Sequence, residues 1–164
     1  MDEKTGKVNI DSLFVKASQY WDEGRLELAF ENFLYVAELG DVSSQGNVAI
    51  FYEGGLGVKR DFNKAIFWYK KAHENGSPVA LHNLADMYKK NGDYKKAIYW
   101  YKESIKTGDD DSLLEMGKMY YYGRGVEKNM RSAKEYFNKT IHSEKITPIL
   151  IDRAKEYLEE MKES

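Results

Sequence analysis

The chain has 164 residues and a mass of 19.0 kDa, room for one ordinary domain or a short array of small units but not for two large ones. Its 42% hydrophobic and 32% charged residues, with 3 Trp, 13 Tyr and 7 Phe, are those of a chain that buries a core. A formal charge of −2 without a basic run argues against nucleic acid as the main partner, and the absence of Cys excludes disulfides, thiolate metal sites and a cysteine nucleophile.

Residues 1–8 are polar and charged and are expected to form a flexible tail. No segment supplies the ~18 or more apolar residues that a membrane span needs, which predicts a cytoplasmic chain with no membrane partner. The rest is periodic. An Ala followed four residues later by an aromatic occurs at Ala29/Phe33, Ala65/Tyr69, Ala97/Tyr101 and Ala133/Phe137, with Ala spacings of 36, 32 and 36 residues. Upstream of each Ala stands a Tyr (Tyr20, Tyr52, Tyr88, Tyr120), and three residues before each Tyr a small residue (Ala17, Ala49, Ala85, Gly117) that lets two helices approach closely. Each unit therefore reads as a helix A ending near the Tyr, a turn, and a helix B opening just before the Ala.

Taken in order, the units are expected at about 9–40, 41–76, 77–108 and 109–143. In the first, Arg25 stands where the others have a helix-B capping residue, and Gly40 followed by Asp41 ends one helix and caps the next. The second has Asp61 as cap and Gly76 followed by Ser77 at its end. In the third, Pro78 is expected in the first helical turn, Asp93 caps helix B, and Gly108 is followed by the capping Asp109. The fourth has Asn129 as cap and no Gly after helix B, so the array is expected to stop there. Tyr-to-Ala spacing is four residues longer in units two and four, whose turns read Gly55-Leu56-Gly57-Val58 and Gly123-Arg124-Gly125-Val126. Residues 147–164 form a last helix with Pro148 in its first turn; Leu150, Ala154, Tyr157, Leu158 and Met161 share one face, as in a helix that caps a repeat core.

Motifs that suggest chemistry have plainer readings. The glycine turns follow helices and lack Gly-Lys-Ser/Thr, so they are hairpin turns rather than phosphate loops. His73, His82 and His142 fall in different units without metal-ligand spacing, and Asp109, Asp110 and Asp111 lack the Gly and terminal Glu of a calcium loop, leaving capping and solvation as their role. Trp68, Tyr69, Trp100, Tyr101, Tyr136 and Phe137 occupy matching helix-B positions and read as packing between repeats, not as base-stacking platforms. No nucleophile stands beside a positioned base, so no catalytic residue, metal, cofactor or enzymatic activity is expected.

Units two and four resemble Sel1-like repeats. Unit two carries the pattern nearly throughout, in Tyr52, Gly55, Gly57, Val58, Asp61, Lys64-Ala65, Trp68-Tyr69-Lys70-Lys71-Ala72 and Gly76. Unit three resembles the shorter tetratricopeptide relative, through Leu81, Leu84-Ala85, Tyr88, Gly92, Ala97 and Tyr101, and unit one is a degenerate copy. Unit four departs from the pattern at Asn129, Ser132 and Thr140. The resemblance implies an all-α, right-handed superhelical solenoid of four hairpins plus a C-terminal capping helix, with helix A lining a concave surface. Carrying over the groove positions of tetratricopeptide arrays gives Phe14, Ser18 and Trp21, then Ile50 and Glu53, then His82, Asp86 and Lys89, and finally Leu114, Lys118 and Tyr121 as the expected partner-binding set. Phe14, Trp21 and Tyr121 are the expected anchors, and Trp21 and Tyr121 are expected to matter little for stability. The Lys/Asn/Arg clamp that holds chaperone tails is absent, since Phe14, Ser18, Gly46 and His82 stand there. The resemblance implies an adaptor or scaffold that binds a protein or peptide; the alternative is a bacterial immunity protein that neutralises a cognate toxin.

Overall fold

The computed structural model describes residues 9–163, so the tail expected over 1–8 lies outside the described residues. Those residues form nine helices and no strand: α1 (Ile10–Asp22), α2 (Leu26–Glu38), α3 (Val42–Gly54), α4 (Phe62–Glu74), α5 (Ala80–Lys90), α6 (Tyr94–Lys106), α7 (Asp111–Tyr122), α8 (Met130–His142) and α9 (Pro148–Glu163). The chain divides into two compact units, Met1–Ala80 and Leu81–Ser164. In the first, α1 packs on α2, α2 on α3 and α3 on α4; in the second, α6 packs on α7, α7 on α8, and α8 on α9.

One backbone bond closes every hairpin. The amide of the residue before helix B donates to the carbonyl of the marker Tyr: Arg25 to Tyr20 at 2.8 Å, Asp61 to Tyr52 at 2.9 Å, Asp93 to Tyr88 at 3.0 Å and Asn129 to Tyr120 at 3.0 Å. Short and long turns share this closure, so the four extra residues are accommodated within the turn while the bond to the Tyr carbonyl is kept. The same residues then cap helix B, with the side chains of Asp61, Asp93 and Asn129 accepting from the amides of Lys64, Lys96 and Ser132 at 3.0, 3.2 and 2.9 Å. Arg25 makes no side-chain cap bond; its guanidinium lies 4.4 Å from the Tyr20 ring instead. Lys64 and Lys96 cover Tyr52 and Tyr88 in the same way, at 5.1 and 5.3 Å. Unit four has Ser132 at the lysine position, and Tyr120 stacks on Tyr136 at 5.7 Å.

Between hairpins the left-handed glycines end the helices, and the next amide returns to the last turn, Ser77 to the Ala72 carbonyl at 2.8 Å for example. Two starts differ from expectation. Pro78 lies in a bend before α5, which opens only at Ala80, because five residues rather than three separate α4 from α5. α7 opens after Asp110, whose side chain makes no cap bond, and it is Asp109 Oδ1 that accepts from the amide of Asp111 at 3.3 Å. Asp109 is not a solvated charge either: its side chain is 8% exposed and accepts from Ser104 Oγ at 2.6 Å, while Asp110 accepts from Ser143 Oγ at 2.6 Å.

The core is the set of repeat markers. Ala17, Ala49 and Ala85 are fully buried, as are Ala29, Ala65, Ala97 and Ala133 with their partners Phe33, Tyr69, Tyr101 and Phe137. Gly117 replaces the alanine on α7 because a Cβ there would stand 2.6 Å from Phe137 Cδ1. Trp68 is buried, whereas Trp100 and Tyr136 are half-buried. On α9, Ala154 joins Leu114, Ala133 and Phe137, with Leu150, Tyr157, Leu158 and Met161 packed around them.

The second glycine of each long turn carries a separate constraint. Gly57 has φ +61 and lies against the Leu26–Glu27 peptide at the start of α2; Gly125 has φ +76, and a Cβ there would stand 2.6 Å from Tyr94 Cβ at the start of α6. Gly125→Ala should therefore combine left-handed strain with overpacking and cost ~3 kcal/mol or more. Gly76→Ala, with nothing within 4 Å of the added Cβ, should cost only ~1–2 kcal/mol of backbone strain. Urea denaturation of the two variants measures the difference, and equal losses would contradict the close approach.

Candidate functional site

The expected partner-binding residues lie on the A helices α1, α3, α5 and α7. In the first unit, Phe14 sets its ring edge-on to Phe33 at 5.6 Å, and Ser18 donates to the Phe14 carbonyl at 3.1 Å. Trp21 meets Phe33 at 5.9 Å and Phe51 at 4.9 Å. Ile50 is half-buried on α3, and the Glu53 carboxylate accepts from the Tyr69 hydroxyl at 2.8 Å. In the second unit the charged residues form one connected lattice. Asp86 accepts from the Tyr101 hydroxyl and pairs with Lys89 at 2.7 Å; Lys89 reaches Glu115 at 2.8 Å, and Glu115 takes Lys118 at 2.6 Å. His82 lies edge-on to Tyr101 at 5.6 Å, with Nδ1 2.9 Å from Ser112 Oγ.

A rule links each face to the ring beneath it. Where helix B contributes a Tyr, its hydroxyl emerges at the helix-A face and finds a carboxylate, Glu53 over Tyr69 and Asp86 over Tyr101. Where helix B contributes a Phe, the position after the marker Tyr carries an aromatic, Trp21 over Phe33 and Tyr121 over Phe137 at 6.4 Å. A buried phenol needs a partner and a buried phenyl needs apolar cover, so the inner ring selects the outer side chain.

Two expectations change. Leu114 is 2% exposed and belongs to the core with Phe137 and Ala154, so it is not a surface residue for a partner; α9 folds back over that position. Trp21 and Tyr121 are not free of the core. Trp21 packs on two fully buried phenylalanines, and Tyr121 is held by α9, edge-on to Tyr157 at 5.3 Å and donating to Glu160 at 3.1 Å. Truncating Trp21 therefore removes core contacts, and its cost rises toward the ~3–5 kcal/mol of a buried aromatic. Glu115, which ties the lattice of the second unit together, is absent from the expected set. Its signal in the sequence is the Glu-x-x-Lys spacing to Lys118, which puts acid and base on one helix face.

Electrostatics follow from this crowding. Burial pushes the Asp86 carboxyl upward, but its hydrogen bonds from Lys89 and Tyr101 outweigh that and hold it below the ordinary range. Glu115 behaves alike, with burial opposed and outweighed by Lys118 and Lys89. Burial lowers Lys89, and its bonds to Asp86 and Glu115 raise it by more. Burial and then Asp86 push the Tyr101 phenol upward, so it stays a donor. Depressed carboxyls stabilise the fold above their unfolded pKa, near ~4, and lose that contribution as pH falls through the folded value. Glu115→Gln should thus be destabilising at pH 7, and its deficit relative to the parent chain should shrink steadily below about pH 4. Denaturant midpoints at pH 7, 5 and 3 test this, and a constant deficit would refute it.

Among the described residues no group of three or more His, Asp or Glu is arranged to hold a metal ion, and no helix is long and apolar enough to cross a membrane. The Sel1 repeat family matches residues 42–77 and 110–141, and the tetratricopeptide repeat family matches 78–111, so the two run unbroken over 42–141. A stretch of 62 residues, 37% of the chain, is 32% identical to an ERAD-associated E3 ubiquitin-protein ligase component of Arabidopsis thaliana, of which it covers 9%. Crystal structures of a Sel1 repeat protein from Oxalobacter formigenes and of a protective antigen of uropathogenic Escherichia coli displaying an SLR fold superpose with TM-scores of 0.63 and 0.58, each at 28% identity. These alignments cover 80% and 81% of this chain, and 57% and 33% of those chains, so the protein spans only part of each relative's length. The glycine-turn hairpins, their capping residues and these matches agree that the chain belongs to the Sel1-like branch of the tetratricopeptide-like helical repeat family.

Proposed function

We propose that the protein is a non-enzymatic protein-interaction module, an adaptor that binds a protein or peptide partner on its A helices. The first unit would present Phe14, Ser18, Trp21, Ile50 and Glu53, and the second His82, Asp86, Lys89, Lys118 and Tyr121. The observation that carries this reading is the tethering of the half-exposed side chains from below: Tyr69 fixes Glu53, and Tyr101 and Glu115 fix Asp86, Lys89 and Lys118. Charged side chains already tethered by hydrogen bonds cost a partner less ordering entropy, which suits a recognition surface. The similarity of one stretch to a component of a ligase assembly supports a role inside complexes rather than in catalysis.

Affinity capture from native lysate with mass spectrometry tests the proposal. Ile50→Lys and Lys118→Glu should each weaken the captured complex by ~tenfold or more, equivalent to ~1.4 kcal/mol, whereas Tyr99→Lys on the outer side of α6 should leave it unchanged. Tyr99 is 55% exposed, so that control does not disturb the core. Equal capture by all three variants would overturn the assignment of the face. Recovery of a single enzyme that the chain inhibits at equimolar amounts would replace the adaptor reading with the inhibitor one.

A further inference from the structure

The second unit carries another surface, away from the A-helix face. Between α8 and α9 runs an open groove of about 340 Å³, floored by Ile141, Leu158 and Met161 and edged by Lys134, Lys155 and Lys162. The floor residues are half-buried: Leu158 and Met161 pack one side against the Leu114–Phe137–Ala154 cluster and leave the other toward the groove. The three lysines face one carboxylate within the lining, Glu159. Lys162 pairs with Glu159 at 2.6 Å and Lys155 with Asp152 at 3.1 Å, and all four side chains are more than half exposed. Exposed pairs of this kind are weak and easily exchanged, so an incoming carboxylate displaces Glu159 or Asp152 at little cost.

An apolar strip between two helices, edged by cations, has the chemistry of a helix-in-groove site. We propose that the α8–α9 groove docks an acidic amphipathic helix of a partner protein. Its apolar side chains enter between Ile141, Leu158 and Met161, and its flanking Glu or Asp residues pair with Lys134, Lys155 and Lys162. The excess of lysine over carboxylate selects an acidic occupant over a basic one. The groove shares none of its lining with the A-helix residues assigned to the adaptor face, so the two sites are independent and a chain with both can hold two partners at once.

The probe is a fluorescein-labelled 16-residue peptide, helical by design, with Leu at i, i+3, i+4 and i+7 and Glu on the flanks, titrated against the full chain by fluorescence anisotropy. A second peptide replaces every Glu by Lys. Saturable binding of the Glu peptide is expected, with the Lys peptide weaker by ~tenfold or more, as opposed charge patterns require. The double variant Lys134→Glu/Lys155→Glu, with its helical circular dichroism unchanged, should lose ~tenfold in affinity for the Glu peptide; Lys134→Gln alone, at an exposed rim position, should lose less and cannot unfold the unit. Ile50→Lys and Lys118→Glu should leave this binding intact, which separates failure here from failure of the A-helix assignment. Equal binding of the two peptides, no binding of either, or unaltered binding by the charge-reversed variant would overturn the proposal. So would capture by phosphatidylserine vesicles with no peptide binding, which would make the lysines a lipid contact.

Discussion

Everything in each unit depends on where helix B begins relative to the Tyr that ends helix A, and one hydrogen bond fixes that. The amide before helix B donates to the Tyr carbonyl in all four hairpins, at 2.8–3.0 Å, whether the turn is short or long. This carbonyl belongs to the last turn of a helix and has no partner within it, so the bond satisfies a group that would otherwise be left open. Once it forms, the Ala of helix B faces the small residue of helix A, and the aromatic four residues on falls into the seam. The Tyr ring is held from outside by Arg25, Lys64 or Lys96, and by Tyr136 where the cation is missing. The Lys-Ala pair of the repeat thus has two physical tasks, a cation for the outer ring and a methyl for the inner contact.

The inner ring then reaches the surface in one of two ways. A phenol sends a hydroxyl outward and calls for an acceptor; a phenyl calls for a second ring. Tyr69 and Tyr101 accordingly sit under Glu53 and Asp86, and Phe33 and Phe137 under Trp21 and Tyr121. Core and face are consequently not independent sets of residues. A substitution on the face alters how a buried phenol is satisfied, and one in the core frees a face residue to move. The rigidity that suits binding and the cohesion that suits stability come from the same contacts.

Much of this was legible in the sequence because it repeats. Ala followed by an aromatic, the small residue before each Tyr, the Asp and Asn caps and the extra four residues of two turns each recur, and the structure places all of them in equivalent roles. The apolar face of α9 was legible for the same reason, as a periodic stripe. What the repeat does not encode was not legible. Leu114 occupies the position of Phe14, Gly46 and His82, which are half-buried, and it is buried because α9 returns over α7, a contact between segments with no shared pattern. Spacing alone makes Asp109 a solvated cap, yet its side chain is 8% exposed and accepts from Ser104 Oγ. The lattice around Glu115 needs α5 and α7 side by side at a known register, which spacing along one helix cannot supply.

The alternation of turn length has a consequence of its own. A short hairpin needs only its own closure bond, but a long turn projects a loop that must rest on something, and both loops rest on the start of the preceding helix B. Gly57 lies on the Leu26–Glu27 peptide and Gly125 on Tyr94, each at a distance that only a glycine permits. The long turn of the second hairpin is therefore a latch on the first, and that of the fourth a latch on the third. Latches join the hairpins in pairs, first with second and third with fourth. The division of the chain after Ala80 falls between the pairs. A repeat array in which every turn were long would couple each hairpin to the one before it. The short turn of the third hairpin has Gly92, with nothing within 4 Å of an added Cβ, so close approach to a preceding helix B follows the long turns alone.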